Sequence, residues 1–268
     1  MSDTPAAEAP SAPGTAVAPY MVRVLSKRAD QLNPFLPKGM SLEAVAQIVQ
    51  MMAIKQPELL ACTPSSLLMG ITRGLRAGLE LGETWHLLTF KNSEMSAKAE
   101  RPIYECTGTA DYKGLAQLMI ASGAVRYVDP QVVREGDEYE ETLGLEKTLV
   151  HRHGATRGKI VRAYVILTLP FGLKDFLSMP IEEIDAIRLR HSKQWKKGEC
   201  PEWYAKKTVI RQIAKLLPKS PRLKAVFGAI EQDEQAEVME GVPEDVPAAE
   251  FEEVLDVSHL VEEEPSNG

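Results

Sequence analysis

Residues 201–217 read PEWYAKKTVIRQIAKLL and run between Pro201 and Pro218. Proline is tolerated at a helix start and stops one at its end, so the stretch predicts a helix from about Pro201 to Leu217. At 100° per residue, with Lys207 at zero, Arg211 falls at about 40°, Tyr204 at about 60° and Lys215 at about 80°. Leu216, Val209, Ile213, Leu217 and Ile210 fall between about 180° and 300° on the same wheel. The spacing therefore predicts a helix that docks through an apolar stripe and displays a cationic ridge. Cations every four residues extend over about 12 Å at 1.5 Å per residue, a length that suits two or three phosphates of a nucleic-acid strand. Tyr204 adds a ring for base stacking, the usual companion of a cationic groove in single-strand binders. No acidic residue after Glu202 supplies the i,i+4 pairs of a merely solvated face. Lys206 stands apart near 260° by the same arithmetic, among apolar residues, where it either snorkels or meets a buried partner.

The surrounding sequence strengthens the polyanion reading. From Ala186 to Lys224 there are twelve Lys or Arg against two acids, Glu199 and Glu202, including Arg190, Lys193, Lys196 and the helix cations. Residues 191–199, HSKQWKKGE, place Trp195 between Lys193 and Lys196, which suits either a stacking surface or a lid over the core. Further upstream, Lys113 follows Tyr112 at a predicted helix start. A cation is locally unfavourable there, and a bound phosphate would rationalise it. The whole chain is net −7, but 14 acids and no Lys or Arg lie in residues 229–268, so the preceding part holds 31 basic against 24 acidic residues, or +7. Such asymmetry points to nucleic acid or an anionic surface, with an acidic tail outside the fold.

With 268 residues and 44% hydrophobic content, the chain has the composition of a packed soluble protein. Residues 1–19 are rich in Pro and Ala and predict a disordered arm. Residues 229–268 predict an acidic disordered tail, whose strip Phe251, Val254, Leu255 and Val257 is suited to docking on a partner. One domain, 20–228, remains for binding and self-association. The longest apolar stretch, Val161–Leu169, is too short to span a bilayer, and the N-terminus lacks a basic start and apolar run, so a cytoplasmic protein with no membrane partner is expected. Cys62, Cys106 and Cys200 form no CxxC pair and are expected as buried thiols.

Element by element, Ser41 predicts a cap for a helix running through Gln56, and Thr63-Pro64 opens a second that stops at Gly78. Trp85–Phe90 and Pro102–Thr107 predict strands joined by a mobile loop over 91–101. Asp111–Ser122 predicts a helix, Val125–Val133 a β-rich run, and Leu149–Arg152 and Lys159–Leu169 further strands. Ile181 to about His191 predicts the first of two closing helices. Helices, a small mostly antiparallel sheet and more helices make an α+β fold.

Catalytic patterns are scarce. Gly154-Ala-Thr-Arg-Gly158-Lys159 has three spacers where a phosphate loop needs four and lacks the following Ser or Thr. His151 and His153 share one side of a predicted strand, with no second pair at ligand spacing. Asp137, Glu138, Glu140 and Glu141 read as a solvated run. A metal-dependent nuclease and a sequence-specific duplex binder stay as alternatives. The former needs metal-holding acids on the DNA face, and the latter base-edge donors that the closing helix hardly offers.

Taken in order, Pro57–Gly82 (PELLACTPSSLLMGITRGLRAGLELG), Tyr112-Lys113-Gly114-Leu115, Gly144-Leu145-Glu146, Gly158–Leu169 and Lys206–Ser220 (KKTVIRQIAKLLPKS) resemble the RecT family of phage-type recombinases. The resemblance covers about 200 residues, nearly the whole of the predicted domain. It implies a bent sheet flanked by helices and an ATP-independent protein, not an enzyme, with no cofactor beyond modulation by magnesium. Its implied activity is to coat single-stranded DNA as homo-oligomeric rings or filaments and to anneal it to a complementary strand in homologous recombination. An exonuclease or a host single-strand-binding protein is the implied partner. The matching positions are Tyr112, Lys113, Lys206, Lys207, Arg211 and Lys215. Asp111 departs from the family pattern, which commonly has a small or neutral residue before Tyr-Lys-Gly.

Overall fold

A computed structural model describes residues 22–156, 158–191, 198–217, 228, 230 and 231, the side chains of Gln31, Arg190 and His191 excepted. The expected arm, nearly all of the acidic tail, and Lys193, Trp195 and Lys196 lie outside the described residues.

The helices begin where side chains satisfy their first amide groups. After helical residues 22–26 and the short α1 (Ala29–Leu32), Ser41 caps α2 (Leu42–Lys55) by accepting from the Ala44 amide at 3.2 Å. Thr63 caps α3 (Pro64–Ala77), which ends on Gly78 in the left-handed region at φ 71°. Two antiparallel strands follow, β1 (Trp85–Lys91) and β2 (Tyr104–Ala110). The segment expected as a loop between them contains a helix, α4 (Ser93–Ala99). Asn92 caps it at Met95, and Glu94 pairs with Lys98 at 2.6 Å, so purely local interactions suffice to wind it.

Close approach of α3 to β1 and β2 depends on glycine. A Cβ on Gly74 would stand 2.5 Å from Trp85 Cδ1, and one on Gly108 2.3 Å from Trp85 Cζ2. The indole fills the space that those two residues leave, buried, and donates its Nε1–H to the Gly70 carbonyl at 2.9 Å.

The second half is built on a three-stranded antiparallel sheet, β3 (Tyr127–Arg134), β6 (Ile160–Thr168) and β7 (Lys174–Pro180), with β6 in the middle. Ala163, Val165 and Leu167 of β6 enter the core, while Arg162 and Tyr164 alternate to the opposite face. A separate hairpin, β4 (Glu138–Thr142) and β5 (Thr148–Arg152), lies over that opposite face. The antiparallel α+β expectation is met, but among the described residues by three separate sheets instead of one.

The acidic run of β4 is not simply solvated. Glu138 and Glu140 point outward, whereas Glu141 pairs with Arg162 at 3.0 Å, and the Asp137 side chain is fully buried. Asp137 accepts from the Arg134 and Gly154 amides, each at 2.9 Å, and lies 3.2 Å from His151 Nε2. His151 Nδ1 is 3.0 Å from the Tyr164 hydroxyl. His151 is therefore a buried tie between hairpin and sheet, with both ring nitrogens engaged. Among the described residues no group of three or more His, Cys, Asp or Glu gathers as metal ligands. Cys62, Cys106 and Cys200 are buried free thiols, as expected.

Two helices close the fold, α6 (Ile181–His191) and α7 (Glu202–Leu216). The last packs between α5 (Tyr112–Ala121) on one side and β3, β6 and β7 on the other. Residues 204–214 are buried but for half-buried Lys206 and Gln212, and the exposed residues of the helix, Trp203, Lys215 and Leu216, lie near its two ends.

Candidate nucleic-acid interface

The enclosure of α7 overturns the expected orientation of its basic face. Lys207 is 7% exposed, Arg211 2% and Tyr204 4%, so none of the three stands on an outer ridge. Lys207 Nζ donates to Thr109 Oγ1 at 3.0 Å, at the end of β2. Thr109, at the end of β2, meets the basic side of the wheel, while Leu216 of the expected docking stripe is 73% exposed. Arg188, also in the basic run, turns inward to Asp185 at 2.8 Å and to the Gly198 carbonyl at 3.1 Å. Three cations of that run thus belong to the interior.

What α7 does present is Glu202, Trp203, Lys206, Lys215 and Leu216. Lys206, out of place on the wheel, snorkels. Its side chain is 15% exposed, and its ammonium reaches Glu202 Oε1 at 2.7 Å. The other oxygen of Glu202 receives Arg134 Nη2 at 2.8 Å. The two cations, Lys206 first, hold the Glu202 carboxyl below the usual carboxylate range. Lys206 Nζ also lies 5.6 Å from the centre of the Tyr112 ring.

Tyr112 and Lys113 open α5, and the geometry there explains the Tyr-Lys-Gly pattern. Asp111 Oδ1 accepts from the Gly114 amide at 2.6 Å, an N-cap that accounts for the acid at this position and offsets the cation beside it. A Cβ on Gly114 would stand 2.4 Å from the Thr84 carbonyl oxygen, so α5 starts in direct contact with the chain leading into β1. The Tyr112 ring is thereby fixed with Lys113 Nζ at 6.0 Å and Lys206 Nζ at 5.6 Å from its centre. Lys113 is exposed, and Tyr112 half-buried. From this corner a groove of about 490 Å³ runs between α5 and β3, past Ala116, Gln117, Ile120 and Val128 to Pro130.

Behind the corner, His86 sits in a charged neighbourhood. Burial holds its imidazole below the usual histidine range; Lys207 pushes the same way, and Asp111 opposes.

Of the residues expected at the site, Tyr112, Lys113 and Lys206 come together, and Lys215 is exposed a little over two turns further along α7. Tyr204, Lys207 and Arg211 are buried. Arg190 lies in the last turn of α6, with its side chain outside the described residues, as are Lys193, Trp195 and Lys196. Two candidates escaped the sequence reading. Arg134 joins the cluster only through folding. Trp203, 43% exposed and edge-on to Tyr204 at 5.6 Å, offers the exposed ring expected of its neighbour. Its position three residues before Lys206 was the available signal.

Among the described residues no helix is long and apolar enough to cross a membrane. The sequence profile of the RecT family matches residues 42–247. Protein RecT of Escherichia coli (strain K12) is 31% identical over 217 residues, covering 77% of this chain and 76% of that protein. The matched span takes in α2 through α7, with the Tyr112 corner inside it. On the extent of both matches, the chain belongs to the RecT family.

Proposed function

We propose that this chain binds single-stranded DNA across the corner formed by Tyr112, Lys113, Trp203 and Lys206 and anneals it to a complementary strand without nucleotide hydrolysis. Family membership supports the class of activity. The observation that carries the location is the Tyr112 ring held between two ammonium groups at the mouth of an open groove. Lys113, Lys206 and Arg134 neutralise phosphates, and counterions leave the strand. Tyr112 and Trp203 offer π-faces to bases. Stacking occupies the face of a base and leaves its Watson–Crick edge open, which annealing requires. Glu202 holds Lys206 and Arg134 in the absence of DNA and yields both to phosphate.

Lys215, Arg190, Lys193, Trp195 and Lys196 extend the same basic track in this proposal. Lys207 and Arg211 act from within, by fixing α7 against α5 and the sheet. Side-by-side protomers in rings or filaments multiply these individually weak contacts, and the partner is an exonuclease or a host single-strand-binding protein.

The test is annealing of two labelled complementary oligonucleotides without nucleotide, with and without magnesium. Pairing is expected to be faster with protein, and slower again with the Tyr112→Leu, Lys113→Ala double variant. Equal rates with and without protein would overturn the activity. Equal rates for variant and parent would overturn the site. Shortening of labelled DNA in magnesium, or preference for one duplex sequence, would assign a different class.

A further inference from the structure

The geometry points to a docking site for the acidic C-terminal segment in a second groove, far in sequence from the Tyr112 corner. The groove has a volume of about 620 Å³ and lies between the N-terminal helical turns and α3. One wall is cationic. It carries Arg23, Lys27 and Arg28, all exposed and in no ion pair among the described residues. The other wall is mainly apolar, with Pro64, Leu68 and Met69 beside Ser65 and Thr72, and Met69 is 53% exposed. An apolar wall and a cationic wall facing each other suit an acidic amphipathic segment. No aromatic ring lines the groove, so it lacks the stacking platform that single-stranded DNA uses.

The chain carries such a segment. Residues 250–257 read EFEEVLDV. Phe251, Val254 and Leu255 recur at the three- and four-residue spacing of one helical side, with Glu250, Glu252, Glu253 and Asp256 around them. Residues 229–268 hold 14 acids and no Lys or Arg, against a body of net +7, so electrostatic attraction favours docking of the tail on a cationic wall of the body. Reach is sufficient. The twenty residues from Glu231 to Phe251 extend up to roughly 65 Å, more than the diameter of roughly 45 Å expected for a domain of about 200 residues. Phe251, Val254 and Leu255 lie against Leu68 and Met69, and the flanking carboxylates face Arg23, Lys27 and Arg28. The groove is filled from the same protomer or from the next one in an oligomer.

Full-length protein carrying Met69→Cys and Leu255→Cys tests this contact by mild oxidation with diamide, since the native thiols are buried. A disulfide is expected to form in dilute protein, as a monomer species if docking is internal and as a ladder if it joins protomers. Adding Lys27→Glu and Arg28→Glu is expected to slow it roughly tenfold, the weight of two exposed ion pairs. Glu252→Lys with Glu253→Lys is expected to restore the rate. A Ser65→Cys, Val254→Cys pair repeats the test at another point of contact. Absence of the disulfide in both pairs, or a rate unchanged by charge reversal or by Phe251→Ser, overturns the proposal. Protection of the Met69→Cys thiol from maleimide by oligo-dT, with no disulfide formed, overturns it too and gives the groove to DNA.

Discussion

Replacing Lys206 by Met removes one charge from the corner while keeping most of the stem that packs beside Tyr112. Its ammonium lies 2.7 Å from Glu202 and 5.6 Å from the ring centre. The i,i+4 pair contributes about 0.3–0.5 kcal/mol and the cation–π contact about 0.5–1 kcal/mol. Together they shift the melting temperature by only about 2–6 °C in a domain of this size. Binding responds differently. Each phosphate neutralised on a single strand contributes about 0.7 to the log–log salt slope, so losing one contact weakens binding roughly eightfold at 0.05 M salt and less than twofold at 0.5 M. Fluorescence anisotropy of a labelled oligonucleotide across that salt range reads both numbers. A slope equal to that of the parent, or a loss of the same size at every salt concentration, refutes the assignment of Lys206 to phosphate.

Lys207→Ala is expected to behave in the opposite way. It loses a buried charged hydrogen bond to Thr109 and a packed stem, costing about 2–3 kcal/mol in thermal or denaturant unfolding, with the salt slope of the folded protein unchanged. Gly74→Ala forces a Cβ into the Trp85 indole and is expected to destabilise by about 1–3 kcal/mol, with a change in tryptophan emission. His86 has a folded pKa below its unfolded one, so the unfolded chain takes up the proton first as pH falls. Its contribution to stability is intact above about pH 6.5 and is lost below it. Melting at pH 7.5 and 5.5 is expected to show a smaller drop for His86→Asn than for the parent.

Caps were the most legible part of the sequence. Ser41, Thr63 and Gly78 each sit where a local rule places them, because a cap depends only on residues within one turn. The helix at Ser93–Ala99 obeys the same rule through Asn92, but its lack of an apolar stripe hid it behind a polar composition. In β4 the alternation of Glu138 and Glu140 with Tyr139 and Glu141 was present as a period of two, masked by four acids in a run of five residues. The orientation of α7 was not legible. A wheel sorts side chains by chemistry, whereas burial is set by which neighbours arrive, and here Thr109 arrives on the cationic side. Lys206 and Lys207 differ by 100° around the axis, and that rotation alone decides which of them meets solvent. Arg134 and Glu202, 68 residues apart, meet only after β3 and α7 pack.

The central claim is that the Tyr112 corner, and not the far side of α7, meets the DNA strand. Acetylation of lysines followed by mass spectrometry, with and without saturating oligo-dT, measures this directly. Lys113 and Lys206 are expected to react in the free protein and to be shielded by DNA, while Lys207 stays unreactive in both states. Equal reactivity of Lys113 and Lys206 in the two states, or a Lys207 that reacts when free and is shielded when bound, would contradict it.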